Sequence, residues 1–145
     1  MRIGLDIGGV IFGGRSATED TSFFSDNYLN TPALPGVEAA LEEIHVRHEI
    51  FFISKARQRT AQKTLEWFRH NGMLERVGLT PDRITFCTTR EEKGPIAQRL
   101  ELDIFVDDRA DVCKIIESVG IKAIRFHSWE QVLTELKRNK NYYTK

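Results

Sequence analysis

The chain has 145 residues, of which 41% are hydrophobic and 29% charged, and its 21 basic side chains balance 21 acidic ones. This length fits one domain with a single core, and the zero net charge gives no overall basic field that would indicate nucleic-acid binding. The N-terminus lacks the apolar stretch of a signal peptide, and no apolar run approaches membrane-spanning length. Cys87 and Cys113 each lie in an apolar segment, which predicts buried free thiols and a cytoplasmic protein.

Short apolar runs alternate with amphipathic stretches, a pattern typical of a parallel sheet covered by helices. Several runs are continuously apolar, as in strands that are buried on both faces. The five predicted strands are Arg2 to Ile7, Ile50 to Ile53, Arg83 to Phe86, Ile104 to Val106 and Ala123 to Phe126.

Five helices are predicted between and after these strands, because apolar residues recur at helical spacing. Asn71-Gly72 is a stop signal, Pro95 predicts a helix that begins near Gly94, and Ser128 to Gln131 has a capping-box pattern. The predicted fold is α/β: one Rossmann-like three-layer domain at residues 1–138, with a five-stranded parallel sheet and no separate cap domain. A polar tail at residues 139–145 is expected to fray.

One long irregular stretch runs from Phe12 to Leu34 and contains Phe23, Phe24 and Tyr28. Loops of this length are usually functional or disordered. The stretch is too short for a separate domain, since domains have about 50 residues or more.

Polar residues stand where the predicted strands end, which is the edge where open parallel sheets bind ligands. Taken singly, Ser54 and Asp108 fit helix N-caps and Lys93 fits an exposed lysine. Asp6 fits neither, because a carboxylate in an apolar strand is costly unless it is paired or metal-bound. The adjacent acids Asp107 and Asp108 repel each other unless a cation lies between them. All of these residues at one edge predict a site.

The ordered set of motifs resembles that of the haloacid-dehalogenase-like (HAD) hydrolases. It consists of Asp6-Ile7-Gly8-Gly9-Val10, then Ser54 after an apolar strand, then Lys93, then Asp107-Asp108 after another strand. The resemblance extends roughly from Ile3 to Leu136. The first motif alone is weak evidence, whereas the order and spacing of all four are specific.

The resemblance implies that Asp6 is a nucleophile that forms an aspartyl-phosphate. It also implies a Mg²⁺ ion bound by Asp6, by the backbone carbonyl of Gly8, and by Asp108 directly or Asp107 through water.

The remaining implied roles concern the phosphate. Ser54 would donate a hydrogen bond to a phosphoryl oxygen, and Lys93 would neutralise the charge of that group. Asp111 would hold Lys93, order metal-bound water, or stabilise a helix N-terminus.

Gly8 departs from the family pattern. The phosphatases of the family carry a second aspartate at this position, which protonates the leaving oxygen and then activates water. General acid and base catalysis is worth about 10²–10⁴-fold, so weak activity is expected. Glu19 or Asp20 in the long loop would be the substitutes.

Two other phosphate-binding patterns are disfavoured. Gly9 to Ser16 resembles a P-loop, but the P-loop lysine and the helix that should follow are missing. Asp6 to Gly9 resembles the phosphate turn of actin-like sugar kinases, which require two lobes and a much longer chain.

The predicted function is therefore Mg²⁺-dependent phosphoryl transfer by a phosphatase-like hydrolase. The alternative is a catalytically silent module that binds phosphate or phosphoproteins, which Gly8 favours and Asp6 disfavours. Both possible cap insertions, 12–34 and 71–82, are short. An open site suits a bulky substrate, such as a phosphorylated protein, a nucleic-acid end or a nucleotide, unless a partner subunit closes it. Arg57, Arg59 and Arg109 are candidates to contact such a substrate.

Overall fold

The computed structural model describes residues 1–13 and 22–144, which form a single α/β domain. Its sheet has five parallel strands in the order β3-β2-β1-β4-β5. The strands are β1 (Arg2–Leu5), β2 (Glu49–Lys55), β3 (Ile84–Cys87), β4 (Ile104–Asp107) and β5 (Lys122–Arg125). The predicted parallel sheet and three-layer architecture are confirmed.

The helices are α1 (Val37–His45), α2 (Gln58–Asn71), α3 (Met73–Val77), α4 (Lys93–Arg99), α5 (Ala110–Ser118) and α6 (Trp129–Arg138). Gly72 ends α2 with a positive φ of 75°, and Ser128 begins α6 with a complete capping box, both as predicted. The helix α3 was not predicted, because five residues are too few to show a helical repeat.

Alternate strand residues separate two layers of the core. One face of the sheet, with Phe52 and Val106, packs against α1, α2, α3 and α6. The other face, with Ile53 and Phe105, packs against α4 and α5. Both faces of the sheet are therefore covered, which explains the nearly continuous apolar strands.

The central strand β1 ends two residues earlier than predicted. The Asp6 N–H still donates to the Val106 carbonyl at 2.9 Å, but Val10 and Ile11 donate back to the Ile7 carbonyl. The chain therefore turns immediately after Asp6. In this strand order β1 is also where the sheet reverses its direction of winding, so Asp6 lies at the position where such sheets bind ligands.

The described part of the long 12–34 stretch is anchored to the core. Phe12 and Phe23 are buried and their ring centroids lie 4.5 Å apart, and short 3₁₀ turns occur at Ser22–Phe24 and Tyr28–Asn30. Trp129 Nε1 donates to the Val10 carbonyl at 2.9 Å, which ties α6 to the turn after β1.

The C-terminal segment is also packed where it was expected to fray. Tyr142 is only 3% exposed and its ring centroid lies 4.6 Å from that of His48. The domain boundary at residue 138 remains a prediction. In the described part of the chain, no helix has both the length and the apolar character required to cross a bilayer.

Candidate active site

Four elements bring the predicted site residues to the carboxyl edge of the sheet. Asp6 follows β1, Ser54 lies near the end of β2, Asp107 ends β4, and Lys93 is the first residue of α4. Each is less than a tenth exposed, so ionisable groups far apart in sequence meet in a largely buried cluster. The structure therefore brings the predicted residues together.

Lys93 is the cation of this cluster. Its ammonium group is 3.1 Å from Asp6 Oδ1 and 2.8 Å from Asp107 Oδ2. Burial lowers the pKa of Lys93, but the two carboxylates outweigh that effect and hold the pKa above its ordinary value. The lysine is thus charged, and its positive charge compensates one of the two carboxylates that it contacts.

The two oxygens of Asp6 have different surroundings. Oδ1 accepts hydrogen bonds from the Ile7 N–H at 2.8 Å and from Lys93. Within residues 1–13 and 22–144, no hydrogen-bond donor is found for Oδ2. Burial, together with Asp107 and Asp108, raises the pKa of Asp6 from 3.8 to about 8 against the opposing charge of Lys93. The site therefore holds more negative charge than Lys93 compensates.

Asp107 and Asp108 differ in their access to the site. Asp107 is fully buried. Its Oδ2 accepts a hydrogen bond from the Lys93 ammonium group, and its Oδ1 accepts one from the Arg109 N–H at 2.9 Å. Asp108 is partly exposed and lines the cleft above Asp6. Asp107 therefore fixes the lysine and the following loop, while Asp108 faces the ligand space.

Asp111 does not hold Lys93, contrary to one of its predicted roles. It pairs with the Arg109 guanidinium at 3.0 Å and accepts from the Val112 N–H at 2.9 Å in the first turn of α5. Asp111 therefore stabilises the start of the helix. Neither Ser54 nor Asp108 is a helix N-cap, since those positions belong to Arg57 and Arg109.

Gly8 and Gly9 shape the turn after the nucleophile candidate. Apart from its chain neighbours, no described residue has a heavy atom within 4 Å of the position that a Cβ at Gly8 would take, and Gly8 has no positive φ. Gly9 has a φ of 79°, and a Cβ there would overlap the Asp108 carboxylate. Glycine is therefore required at position 9 by conformation and close approach, whereas position 8 has room for a side chain.

The acidic cluster fits a divalent metal ion. One carboxylate oxygen each from Asp6, Asp107 and Asp108 can be chosen so that the three lie within 4.8 Å of one another. Hard oxygen ligands of this kind suit Mg²⁺. The raised pKa of Asp6 points the same way, because burial and, to a smaller extent, the neighbouring carboxylates disfavour its charged form, which a bound cation would stabilise.

A cleft of about 230 Å³ opens above these residues. Ser54 lies in its wall, and its hydroxyl group makes no hydrogen bond to another residue in the described ranges, so its proton is available to a ligand. Arg109 lines the cleft as predicted. Arg57 and Arg59, which were also expected to contact a substrate, are not among the described residues that line the cleft.

The cleft residues that the sequence did not assign to the site include Phe24, Lys55, Thr60, Thr64 and Arg90. Arg90 follows β3 on the same edge as Ser54 and Asp107, so the rule that located those residues could also have located it. No comparable sequence pattern predicts that Phe24 is exposed in the cleft. Glu19 and Asp20, proposed as substitutes for the missing acid, lie outside the described residues.

Known proteins match the chain in structure but not in sequence. No family model and no curated protein matches it at the sequence level. A HAD-family enzyme from Bacteroides thetaiotaomicron, in complex with magnesium and inorganic phosphate, superposes with a TM-score of 0.59 over 88% of this chain and 94% of that one, at 10% identity. The chain has a HAD-like fold.

Two other solved structures have TM-scores above and below this value. A hydrolase from Streptococcus pneumoniae TIGR4 has a TM-score of 0.66 and 12% identity, covering 94% of this chain and 97% of that one. The class C acid phosphatase from Bacillus anthracis has a TM-score of 0.55 and 18% identity, covering 97% and 74%. The HAD-like fold predicted from the four motifs is thereby confirmed.

Proposed function

We propose that this domain is a Mg²⁺-dependent, phosphatase-like hydrolase that acts through an aspartyl-phosphate on Asp6. One observation carries the proposal: Asp6, Asp107 and Asp108 converge with Lys93 at the carboxyl edge of a HAD-like sheet. The names of the structural neighbours support it, since they include a hydrolase, an acid phosphatase and a complex with magnesium and inorganic phosphate.

Asp6 is the proposed nucleophile. The Ile7 N–H and Lys93 hold Oδ1, which orients the carboxylate and leaves Oδ2 for attack on phosphorus. The attack would form the bond between Asp6 and phosphorus and break the bond to the leaving oxygen. Water would then release phosphate and regenerate the carboxylate.

Asp6, Asp108 and the Gly8 carbonyl are the proposed metal ligands. Mg²⁺, when bound, supplies the positive charge that allows a carboxylate to approach a phosphate. Asp107 would act beside them by positioning Lys93, since both of its oxygens already accept hydrogen bonds. It would contact metal-bound water only if one of these bonds is shared.

Ser54 and Lys93 are the proposed phosphate ligands. The Ser54 hydroxyl donates from the wall of the cleft, and the Lys93 ammonium has three protons, of which Asp6 and Asp107 accept two. The third is available to a phosphoryl oxygen. Donors fixed before the substrate arrives stabilise charge that develops on the phosphoryl group.

The cleft is open and has no second domain over it within residues 1–13 and 22–144. This favours a substrate with a bulky group outside the phosphate site.

The free thiols of Cys87 and Cys113 accord with the cytoplasmic location predicted from the sequence.

The alternative is a silent phosphate-binding module, and Gly8 is the observation that favours it. The two functions differ in what Asp6 does. A binder needs positive charge and hydrogen-bond donors, whereas a hydrolase also needs the Asp6 carboxylate to react.

The test is formation of a covalent phosphate mimic on Asp6. With Mg²⁺, beryllium fluoride should form an adduct on Asp6 that is visible by ¹⁹F NMR, and acetyl phosphate should be hydrolysed. Asp6→Asn should fold, lose the adduct and lose turnover, while Asp82→Asn, an exposed control, should keep both. Full turnover by Asp6→Asn would rule out the nucleophile, and phosphate binding without adduct or turnover would establish the binding module.

A further inference from the structure

An exposed aromatic ring stands at the mouth of the cleft. Phe24 is 74% exposed and lines the cleft together with Asp6 and Ser54. Among the described residues the other large exposed hydrophobic side chains are Val46 and Tyr143, and neither lines the cleft. An apolar ring left in water beside a polar site is a candidate for ligand contact.

The ring is anchored from the core. Phe24 meets Phe23 edge-on at 5.9 Å between centroids, and the buried Phe23 packs against Phe12 at 4.5 Å. Phe12 in turn packs against Trp67 at 4.4 Å. Phe24 is thus connected through Phe23 to the core, and its exposed side can pack against the ring of a ligand.

In the part of the chain that the structure describes, the same cleft has no histidine and no second carboxylate beside Asp6 at position 8 to protonate the leaving oxygen. Asp6 and Asp108 are the carboxylates that line it, and no histidine lines it, among the residues that the structure describes. Apart from its chain neighbours, no described residue has a heavy atom within 4 Å of the position that a Gly8 Cβ would take, so no described side chain replaces the missing acid there.

A leaving group that receives no proton must depart as an anion. A phenol has a pKa of about 10, as in tyrosine. Bulk water has a far higher pKa than a phenol, and an aliphatic alcohol resembles water in this respect. The absence of an acid therefore penalises alkyl esters far more than aryl esters.

From these two features we infer that the preferred substrate is an aryl phosphate, whose ring contacts Phe24. This inference rests on the proposed function. Asp6 attacks phosphorus, the bond between phosphorus and the phenolic oxygen breaks, and the phenolate leaves with the electron pair and takes a proton from water. A second water molecule then cleaves the aspartyl-phosphate, giving inorganic phosphate and the free carboxylate.

Phe24→Ala tests the ring contact with paired substrates. Phenyl phosphate and acetyl phosphate both have leaving groups that need no acid, but acetyl phosphate has no ring. Phe24→Ala should lower kcat/KM for phenyl phosphate by about tenfold, as expected for loss of one ring-ring contact, and leave acetyl phosphate unchanged. Tyr143→Ala removes an exposed ring outside the cleft and should change neither.

Benzyl phosphate separates ring recognition from leaving-group ability, because it carries the ring on an alkyl oxygen. Wild-type protein should hydrolyse it at least 100-fold more slowly than phenyl phosphate, within the about 10²–10⁴-fold range of a missing acid. Equal rates for the two esters would overturn the aryl preference. An equal loss for phenyl and acetyl phosphate in Phe24→Ala would overturn the ring contact.

A binding measurement keeps the inference separate from the proposed function. With Mg²⁺ present, phenylphosphonate should bind more tightly than methylphosphonate by calorimetry, and Phe24→Ala should abolish the difference. Hydrolysis of acetyl phosphate without turnover of phenyl phosphate would refute the inference and leave the hydrolase intact. If neither acetyl phosphate nor phenyl phosphate is hydrolysed, the hydrolase and the aryl substrate are both refuted. The phosphonate measurements would then test only whether Phe24 binds a ring.

Discussion

Gly8→Asp places a carboxylate where the HAD-like phosphatases carry their acid and base. The described residues accommodate the change, because none of them beyond the chain neighbours has a heavy atom within 4 Å of a Cβ at Gly8, and Gly8 has no positive φ. The free energy of unfolding should therefore change by no more than about 1 kcal/mol, since the substitution also restricts the unfolded chain.

The catalytic gain should depend on the leaving group. General acid catalysis is worth about 10²–10⁴-fold, so hydrolysis of benzyl phosphate should rise by about 10²-fold or more. Phenyl phosphate should gain much less, because its leaving group departs without a proton. The dependence of kcat/KM on leaving-group pKa should accordingly flatten.

Two control variants define the comparison. Gly8→Asn has nearly the same shape but no acid, and it should leave the benzyl phosphate rate at the wild-type level. Gly9→Ala should be destabilised and bind Mg²⁺ weakly, because its Cβ meets the Asp108 carboxylate at a φ of 79°. The measurements are thermal unfolding with and without Mg²⁺, followed by kcat/KM for both esters.

The refuting result is specific. If Gly8→Asp folds, binds Mg²⁺ and gains nothing over Gly8→Asn on either ester, the missing acid does not limit this protein. The silent binding module would then be the better account of Gly8.

Three further predictions concern metal binding and pH. Free Mg²⁺ at ten times its Kd should raise the free energy of unfolding by about 1.4 kcal/mol, or the Tm by about 3–6 °C. Asp108→Ala should abolish this gain, whereas the control Asp82→Ala should keep it. An equal shift in both variants would place the metal elsewhere. Because the pKa of Asp6 rises from 3.8 to about 8 in the fold, the folded metal-free protein holds a proton that the unfolded chain releases, so this contribution to stability falls as pH rises through that window. Asp6→Asn should therefore gain stability relative to wild type between about pH 5 and about pH 8 in urea unfolding with EDTA, and a constant difference would contradict the shift. Burial lowers the pKa of His48 from 6.5, and the Met1 amino group, 2.8 Å from Nδ1, lowers it further. The free energy of unfolding should therefore fall as the pH drops below 6.5, and His48→Asn should remove that fall. If the variant loses stability below pH 6.5 as the wild type does, His48 is not the source.

The convergence of the candidate site residues could be predicted from the sequence because they stand at the ends of strands. Once the strands around Leu5, Ser54 and Val106 were recognised, parallel pairing required Asp6, Ser54 and Asp107 to meet at one edge. Lys93 could be placed near this edge, but its partners could not be identified. Asp6 is 87 positions away in the chain, and the choice between Asp107 and Asp111 depended on side-chain geometry.

The positions of Phe24 and Tyr142 could not be predicted from the sequence, for a different physical reason. Phe23 and Phe24 are adjacent in sequence, yet one is buried in the core and the other stands in the cleft. No helical or strand period distinguishes them, because the chain there makes only a short 3₁₀ turn. Tyr142 was assigned to a fraying tail for the same reason: a single aromatic residue in a polar segment has no pattern that reveals its contact with His48.

The position of β1 at the centre of the sheet has a consequence for synthesis on the ribosome. Its two neighbours are encoded later, with β4 and the anchoring Trp129 of α6 in the last third of the chain. Translation at about 5–20 residues per second would leave one edge of β1 unpaired for several seconds. During that interval the nascent chain exposes an apolar strand edge that can pair with another chain, and Asp6 has no lysine partner. The candidate active site is therefore assembled late in synthesis, and a chain truncated before β4 should lack that site and be prone to aggregation.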